Sequence, residues 1–271
     1  MQSKITGGAT TLLFTAKVLS KYDVHFFQCD DTGFIQTETP YWLDEAYSSA
    51  ITKMDVGLVQ RNLDMAELLY PLILKHFNHN ASFLDYAGGY GLLTRLLRYK
   101  GLDFYNTDKY CENLFAEFND LKYVDENKRY ELITAFEVFE HLQSPIEEIE
   151  KMMRSSDNLL FSTVIIPKII PRPEEWWYFS LETGQHIAFY TITSLEYLAK
   201  KFNKYFYTNG KTVHLFTKKP LKSDPFKESL STYLTRKFIK KIKKLDKTAG
   251  IKKENLMGRD MEDAKKRITN K

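Results

Sequence analysis

Between about residues 61 and 219 helical and extended patterns alternate, and no other feature constrains the fold of this chain as strongly. "LDMAELLYPLILKHF" spaces its apolar residues as a helix does, "SFLDYA" is a buried strand and "LLTRLLRY" a helix. "LDFYNTD" is a strand, "YCENLFAEF" a helix and "YELITAFEV" a strand. "SPIEEIEKMM" is predicted to be a helix with Ser144 as N-cap and Pro145 at its first position. "NLLFSTVII" is a strand and "SLEYLAKKF" a helix, and "KYFYT" and "KTVHLFTKK" pair across Asn209-Gly210, a dipeptide suited to a tight antiparallel turn. Strands separated by helices lie parallel, with helices covering both faces of the sheet. A doubly wound, mostly parallel α/β sheet closed by a C-terminal antiparallel hairpin is therefore expected.

Two flanking regions differ from this core. Residues 1–60 are an N-terminal extension in which "TTLLFTAKVL" and "KYDVHFFQCD" read as strands and "PYWLDEAYSSAI" as a helix following Pro40. Residues 220–271 are a basic tail, and 61–219 form the core domain between the two. From Leu221 to Lys271 there are 16 Lys and Arg against 7 Asp and Glu, whereas the first 220 residues carry 23 and 28. Phe226, Leu230, Leu234, Phe238, Ile242 and Leu245 recur near every fourth residue, so a helix in the tail has one apolar stripe among lysines. The asymmetry suits an acidic partner or an anionic membrane surface, or simply a solvated terminus. No apolar run approaches the length of a membrane span, and the short "TLLFTA" run does not make a signal peptide. With only Cys29 and Cys111 there is no disulfide framework, and a reducing cytoplasmic setting is expected.

The stretch "FLDYAGGYGLLTRLLR", Phe83 to Arg98, places a strand, an acid and three glycines directly before a helix. In an open α/β sheet such turns lie at the carboxyl ends of the strands, where ligands bind. Glycine lets backbone approach a ligand closely, and the helix N-terminus offers free N–H groups. The dinucleotide pattern G-x-G-x-x-G would begin at Gly89-Tyr90-Gly91 but meets Thr94 at its third glycine. Gly210-Lys211-Thr212 ends like a phosphate loop, yet Tyr205 stands where the upstream glycine belongs.

The turn instead resembles that of class I S-adenosylmethionine-dependent methyltransferases, whose strand and acid lead into G-x-G-x-G. Asp85 matches the acid, Gly89 and Gly91 match the second and third glycines, and Ala87 stands at the first, with Gly88 beside it. Asp108 in "FYNTD", 17 residues after Gly91, matches the ribose-binding acid at the end of the next strand. The fourth strand of such enzymes runs into an acid–histidine pair, met here by Glu137, Glu140 and His141 in "EVFEHL". "WWYFSLETGQHIAFYTITSLEYLAKKF" resembles the late active-site loop and helix, with His186, Phe189, Tyr190, Ser194 and Leu195 at the matching places. The N-terminal "CDDTGFIQTETPYWLDEAY" is similar to the lead-in of methyltransferases that modify bacterial surface polysaccharides and sugars. Relatives there can carry Cys-x-x-Cys, but Cys29 is followed by Asp30, Asp31 and Thr32, which argues against a four-ligand zinc site.

The resemblance implies a seven-stranded Rossmann-like sheet, S-adenosyl-L-methionine as cofactor, and methyl transfer to an oxygen or nitrogen of a small molecule or glycan. Asp85, Ala87, Gly88, Gly89, Gly91, Asp108 and Glu137 are the implied cofactor-binding residues. For the adenine ring Asp120 and Asp125 both remain open. His141 and His186 are the candidate general bases, since imidazole titrates near neutrality; each could equally serve as a structural hydrogen-bonding group. Trp176, Trp177 and Tyr178 could wall an acceptor pocket or pack in a core. No metal-ligand spacing stands out, so metal independence is expected. The acidic body disfavours a nucleic acid as acceptor, and a non-catalytic binding protein with the same fold is the alternative from a different class.

Overall fold

In the computed structural model the described residues are 1–48, 55–125 and 127–227, together with 262 and 266. Alternation along the N-terminal sequence builds an antiparallel hairpin from β1 (Thr10–Val18) and β2 (Tyr22–Cys29), paired from Thr10 opposite Cys29 to Val18 opposite Tyr22 with a register shift between Leu12 and Phe14. β3 (Ile35–Thr37) adds to β2, and α1 (Leu43–Ala46) follows. The core then runs α2 (Leu58–His76), β4 (Ser82–Tyr86), α3 (Leu92–Tyr99), β5 (Asp103–Thr107), β6 (Leu132–Ala135), α4 (Pro145–Ser155) and β7 (Leu159–Ser162). After a long loop come β8 (Ala188–Phe189), α5 (Ile192–Lys201), β9 (Tyr205–Thr208) and β10 (Val213–Thr217).

The central sheet has the order β5-β4-β6-β7-β10-β9, with the first four strands parallel and β10 antiparallel to both neighbours. This is the expected mixed α/β sheet with its antiparallel closure. Side chains alternate across it, as a pleated strand requires. Phe83 of β4 packs with Leu69, Leu97 and Phe104 under α2 and α3, while Leu84 faces Ile133, Phe161 and Ile149 on the α4 and α5 side. A second sheet, β1-β2-β3-β8, is knitted to the first because β8 belongs to the loop after β7. Phe26, Trp42, Trp176, Phe179 and Phe189 fill its core, and the Trp42 indole donates to Gly184 O at 2.8 Å.

Two expectations are corrected. Among the described residues the sheet has six strands, not the seven implied, and beyond β5 a single parallel bridge joins Asn106 and Asp120. "YCENLFAEF" is not a regular helix; the segment holds short 3-10 turns at Glu117–Asn119 and Leu121–Tyr123. The second has a visible cause. Asp108 accepts from the Tyr110 and Cys111 amides, Asn113 Oδ1 accepts from Ala116 N, and Tyr90 O accepts from Leu114 N and Phe115 N. Local bonds of this kind compete with helix and ladder for the same backbone groups. The helical stripe expected in the tail lies outside the described residues beyond Phe226, which packs against the α2 side of the core.

Candidate active site

The carboxyl ends of β4, β5 and β6 each carry or lead into an acid, Asp85, Asp108 and Glu137, and the first two lie close enough to influence each other. Asp85 ends the buried part of β4 and is 3% exposed; Thr134 Oγ1 of β6 donates to its Oδ1 at 2.7 Å. Burial, and to a lesser degree the charge of Asp108, raises the Asp85 carboxyl to about 7. Asn106 of β5 is fully buried, and its Oδ1 has no partner. Asp108, just beyond β5, accepts from Gly89 N at 2.9 Å through Oδ2 and from Tyr110 N and Cys111 N at 2.7 and 2.8 Å through Oδ1. Glu137, just beyond β6, has a left-handed φ of 53° and is pinned by Ser162 Oγ, which accepts from its amide and donates to its Oε1. Left-handed backbone at a non-glycine residue is uncommon and gathers at functional sites.

The glycine turn fits between these groups. Ala87, at the position where the family pattern has glycine, adopts φ 55°, a conformation that costs an ordinary residue about 1–2 kcal/mol. Gly91 has φ 77° at the start of α3. A Cβ on Gly88 would collide with Asn106 Oδ1 and Asp85 Oδ2, and it would stand 2.8 Å from Asp85 Cγ. The turn is therefore closed to side chains and edged by acceptor oxygens, one of them unpartnered. S-adenosylmethionine presents an ammonium group and two ribose hydroxyls, all donors, so the residues present fit it.

Asp85 also gives the protein a distinctive pH response. Its folded pKa near 7 lies above the unfolded value of about 3.9. Between these values the native state holds a proton that the unfolded chain has released, so stability falls as pH rises. Relative to the parent, Asp85→Asn should gain on the order of 4 kcal/mol across pH 4 to 7. Urea unfolding of both proteins at several pH values checks this; parallel profiles would show that burial does not raise the Asp85 carboxyl.

The two histidines, distant in sequence, meet. Their rings lie 4.8 Å apart, edge to face. His141 closes the 3-10 turn Phe139–His141 after β6, and its Nδ1 lies 3.0 Å from Gln185 O and 3.1 Å from Tyr47 Oη. His186 Nδ1 lies 2.7 Å from Tyr178 O. Burial pushes His141 down to about 4, and burial together with neighbouring His141 pushes His186 down to about 3, so both are neutral near pH 7. Tyr47 also stacks on Tyr110 at 5.0 Å, joining α1 to the loop that carries Asp108. The tryptophans separate: Trp176 lies in the core of the second sheet, while Trp177 is 71% exposed.

Sequence reasoning passed over Asn106, Tyr47 and Tyr110. Asn106 left a signal, a polar amide at an inward position of a buried strand. The tyrosines left none, because their pairing depends on how two distant segments are brought together.

The methyltransferase domain family model matches residues 59–205, more than half of the chain and all of the glycine turn, Asp108 and both histidines. No curated protein sequence matches significantly. Among solved structures, the chain is similar to an O-methyltransferase family 2 protein from Planctomyces limnophilus in complex with apigenin, at 14% identity and a TM-score of 0.39, over 51% of each chain. It is also similar to an O-methyltransferase family protein from Burkholderia thailandensis, at 10% identity and a TM-score of 0.45, over 66% of this chain and 63% of that one. The matched part thus spans about half to three fifths of those proteins. With the family match covering the glycine turn and the strands from β4 to β8, the chain belongs to the methyltransferase domain family.

Proposed function

We propose that this chain transfers a methyl group from S-adenosylmethionine to an oxygen (or nitrogen) of a small acceptor, with a sugar or glycan of surface polysaccharide biosynthesis as the acceptor class. The observation that carries the reading is the side-chain-free turn at Gly88, edged by Asp85 and the unpartnered Asn106 Oδ1, with Asp108 bonded to its backbone. When bound, S-adenosylmethionine supplies a methyl already activated by its positive sulfur. The protein's part is then to align the reactants and exclude water. Asp85, Asp108 and Asn106 hold donor groups, and the Tyr47–Tyr110 stack shields the side toward His141. His141 and His186, neutral and with their Nδ1 atoms engaged, offer Nε2 to the acceptor's proton. As bases of such low pKa they contribute less than positioning does.

The sugar reading draws on the N-terminal resemblance and on Trp177, whose exposed indole offers a flat apolar face to the C–H surface of a sugar. Calorimetric titration with S-adenosylmethionine is expected to give one-to-one binding, and its absence at millimolar cofactor would end the methyltransferase reading. Labelled methyl transfer against a panel of sugar nucleotides and glycans is expected to give an O-methylated sugar. Transfer confined to acceptors without a sugar would remove the substrate class and leave the reaction.

A further inference from the structure

Glu140 is fully buried, and neither of its carboxylate oxygens has a hydrogen-bond partner. Tyr178 and Thr163 hydroxyls lie close by, but they engage each other at 3.2 Å, and neither reaches hydrogen-bond geometry with Glu140. A buried carboxylate left this way is costly unless it takes up a proton or a cation completes it. Its neighbours are His141 and His186, and one ligating atom from each of the three residues lies within 4.8 Å of the others. Both rings have Nδ1 turned to a backbone carbonyl, Gln185 O for His141 and Tyr178 O for His186. A neutral imidazole that donates from Nδ1 carries its free lone pair on Nε2. Metal-ligating histidines are oriented by this kind of outer hydrogen bond.

We infer that Glu140, His141 and His186 form a binding site for one divalent first-row transition-metal ion. Two imidazole nitrogens with one carboxylate favour manganese, iron, cobalt or zinc over magnesium and calcium, which prefer oxygen. Three protein ligands leave coordination positions open, and both histidines keep some solvent access. Glu137 lies near enough to add negative charge, whereas Arg61, the cation facing both acids, is already paired with Asp55 at 2.7 Å. This departs from the metal independence expected of the sequence. The use of such an ion rests on the methyltransferase reading and takes the place of His141 and His186 as bases, since their Nε2 lone pairs would hold the ion. In that reaction the oxygen–methyl bond forms as the carbon–sulfur bond breaks, the bonding electrons stay on sulfur and the acceptor's proton passes to solvent. A cation beside the acceptor oxygen favours loss of that proton.

The experiment uses the full chain, stripped with chelator and titrated with Co2+, Mn2+, Zn2+ and Mg2+ by calorimetry, with the visible absorption of bound Co2+ as an independent signature. One transition-metal ion per chain is expected, with Mg2+ binding far more weakly. Glu140→Gln and His186→Ala should each weaken Co2+ binding by about 100-fold or more and change or erase its spectrum, while S-adenosylmethionine binding survives. Should a variant fail to fold, titration of the parent still decides, since a parent that takes up no Co2+ overturns the site. A parent that takes up no ion, or one that both variants bind equally well, overturns the site. Loss of cofactor binding in the parent would instead count against the methyltransferase reading and leave the metal site standing.

Discussion

Gly88→Val is expected to lower S-adenosylmethionine affinity by about 100-fold, the equivalent of roughly 2.7 kcal/mol. Even the first carbon of the new side chain overlaps Asn106 Oδ1 and Asp85 Oδ2. Neither neighbour yields easily. Asn106 is fully buried on β5, and its Nδ2 leans toward Gly89 O at 3.4 Å; Asp85 is held by Thr134. The displacement therefore passes into the turn, and overpacking of this kind costs about 1–3 kcal/mol even where no ligand is involved. Calorimetry measures the affinity and thermal unfolding reports whether the fold persists. A folded variant that binds like the parent would mean that the turn does not receive the cofactor.

The second large effect belongs to Asp108. Its three bonds to Gly89, Tyr110 and Cys111 amides fasten the glycine turn to the loop beyond β5. A carboxylate has about four lone-pair sites, so one is left for a ribose hydroxyl. Asp108→Ala should lose about 2 kcal/mol of stability, because charge-assisted bonds to three donors vanish while partial exposure lets water replace some of them. Cofactor affinity should fall by about 10- to 100-fold, the value of one such bond together with a loosened turn. Asp108→Asn separates the two roles. It retains one acceptor oxygen for the loops but not the charge that favours the ribose, so affinity is expected to fall further than stability does. Equal affinity in the Asn variant and the parent would leave Asp108 as a staple between loops only.

Much of this site can be read from sequence because it is local. Asp85, the glycines and Asp108 sit at strand ends, and strand ends follow from hydrophobic runs and the breakers after them. The departure at Ala87 is legible too, although only the backbone reveals that the residue pays a left-handed φ there. The failure between β5 and β6 is equally instructive. Residues 110–118 carry apolar spacing suited to a helix, but Asp108, Asn113 and the Tyr90 carbonyl take up the amides that a helix would need. That competition depends on Tyr90 lying close in space, so periodicity alone misjudged it.

Sequence by itself determined the alternating α/β sheet, its antiparallel closure at Asn209-Gly210 and the glycine turn at the end of β4, since each rests on residues that are neighbours along the chain. Only the tertiary structure decided that β8 joins the N-terminal hairpin in a second sheet, which carries His186 of the preceding loop to Glu140 and His141. Ile187 N bonds Glu140 O at 2.8 Å, and Thr37 N of β3 bonds Ile187 O at 3.0 Å. No spacing encodes that meeting. It is produced by backbone hydrogen bonds between segments far apart in sequence, and these form only once both sheets are in place.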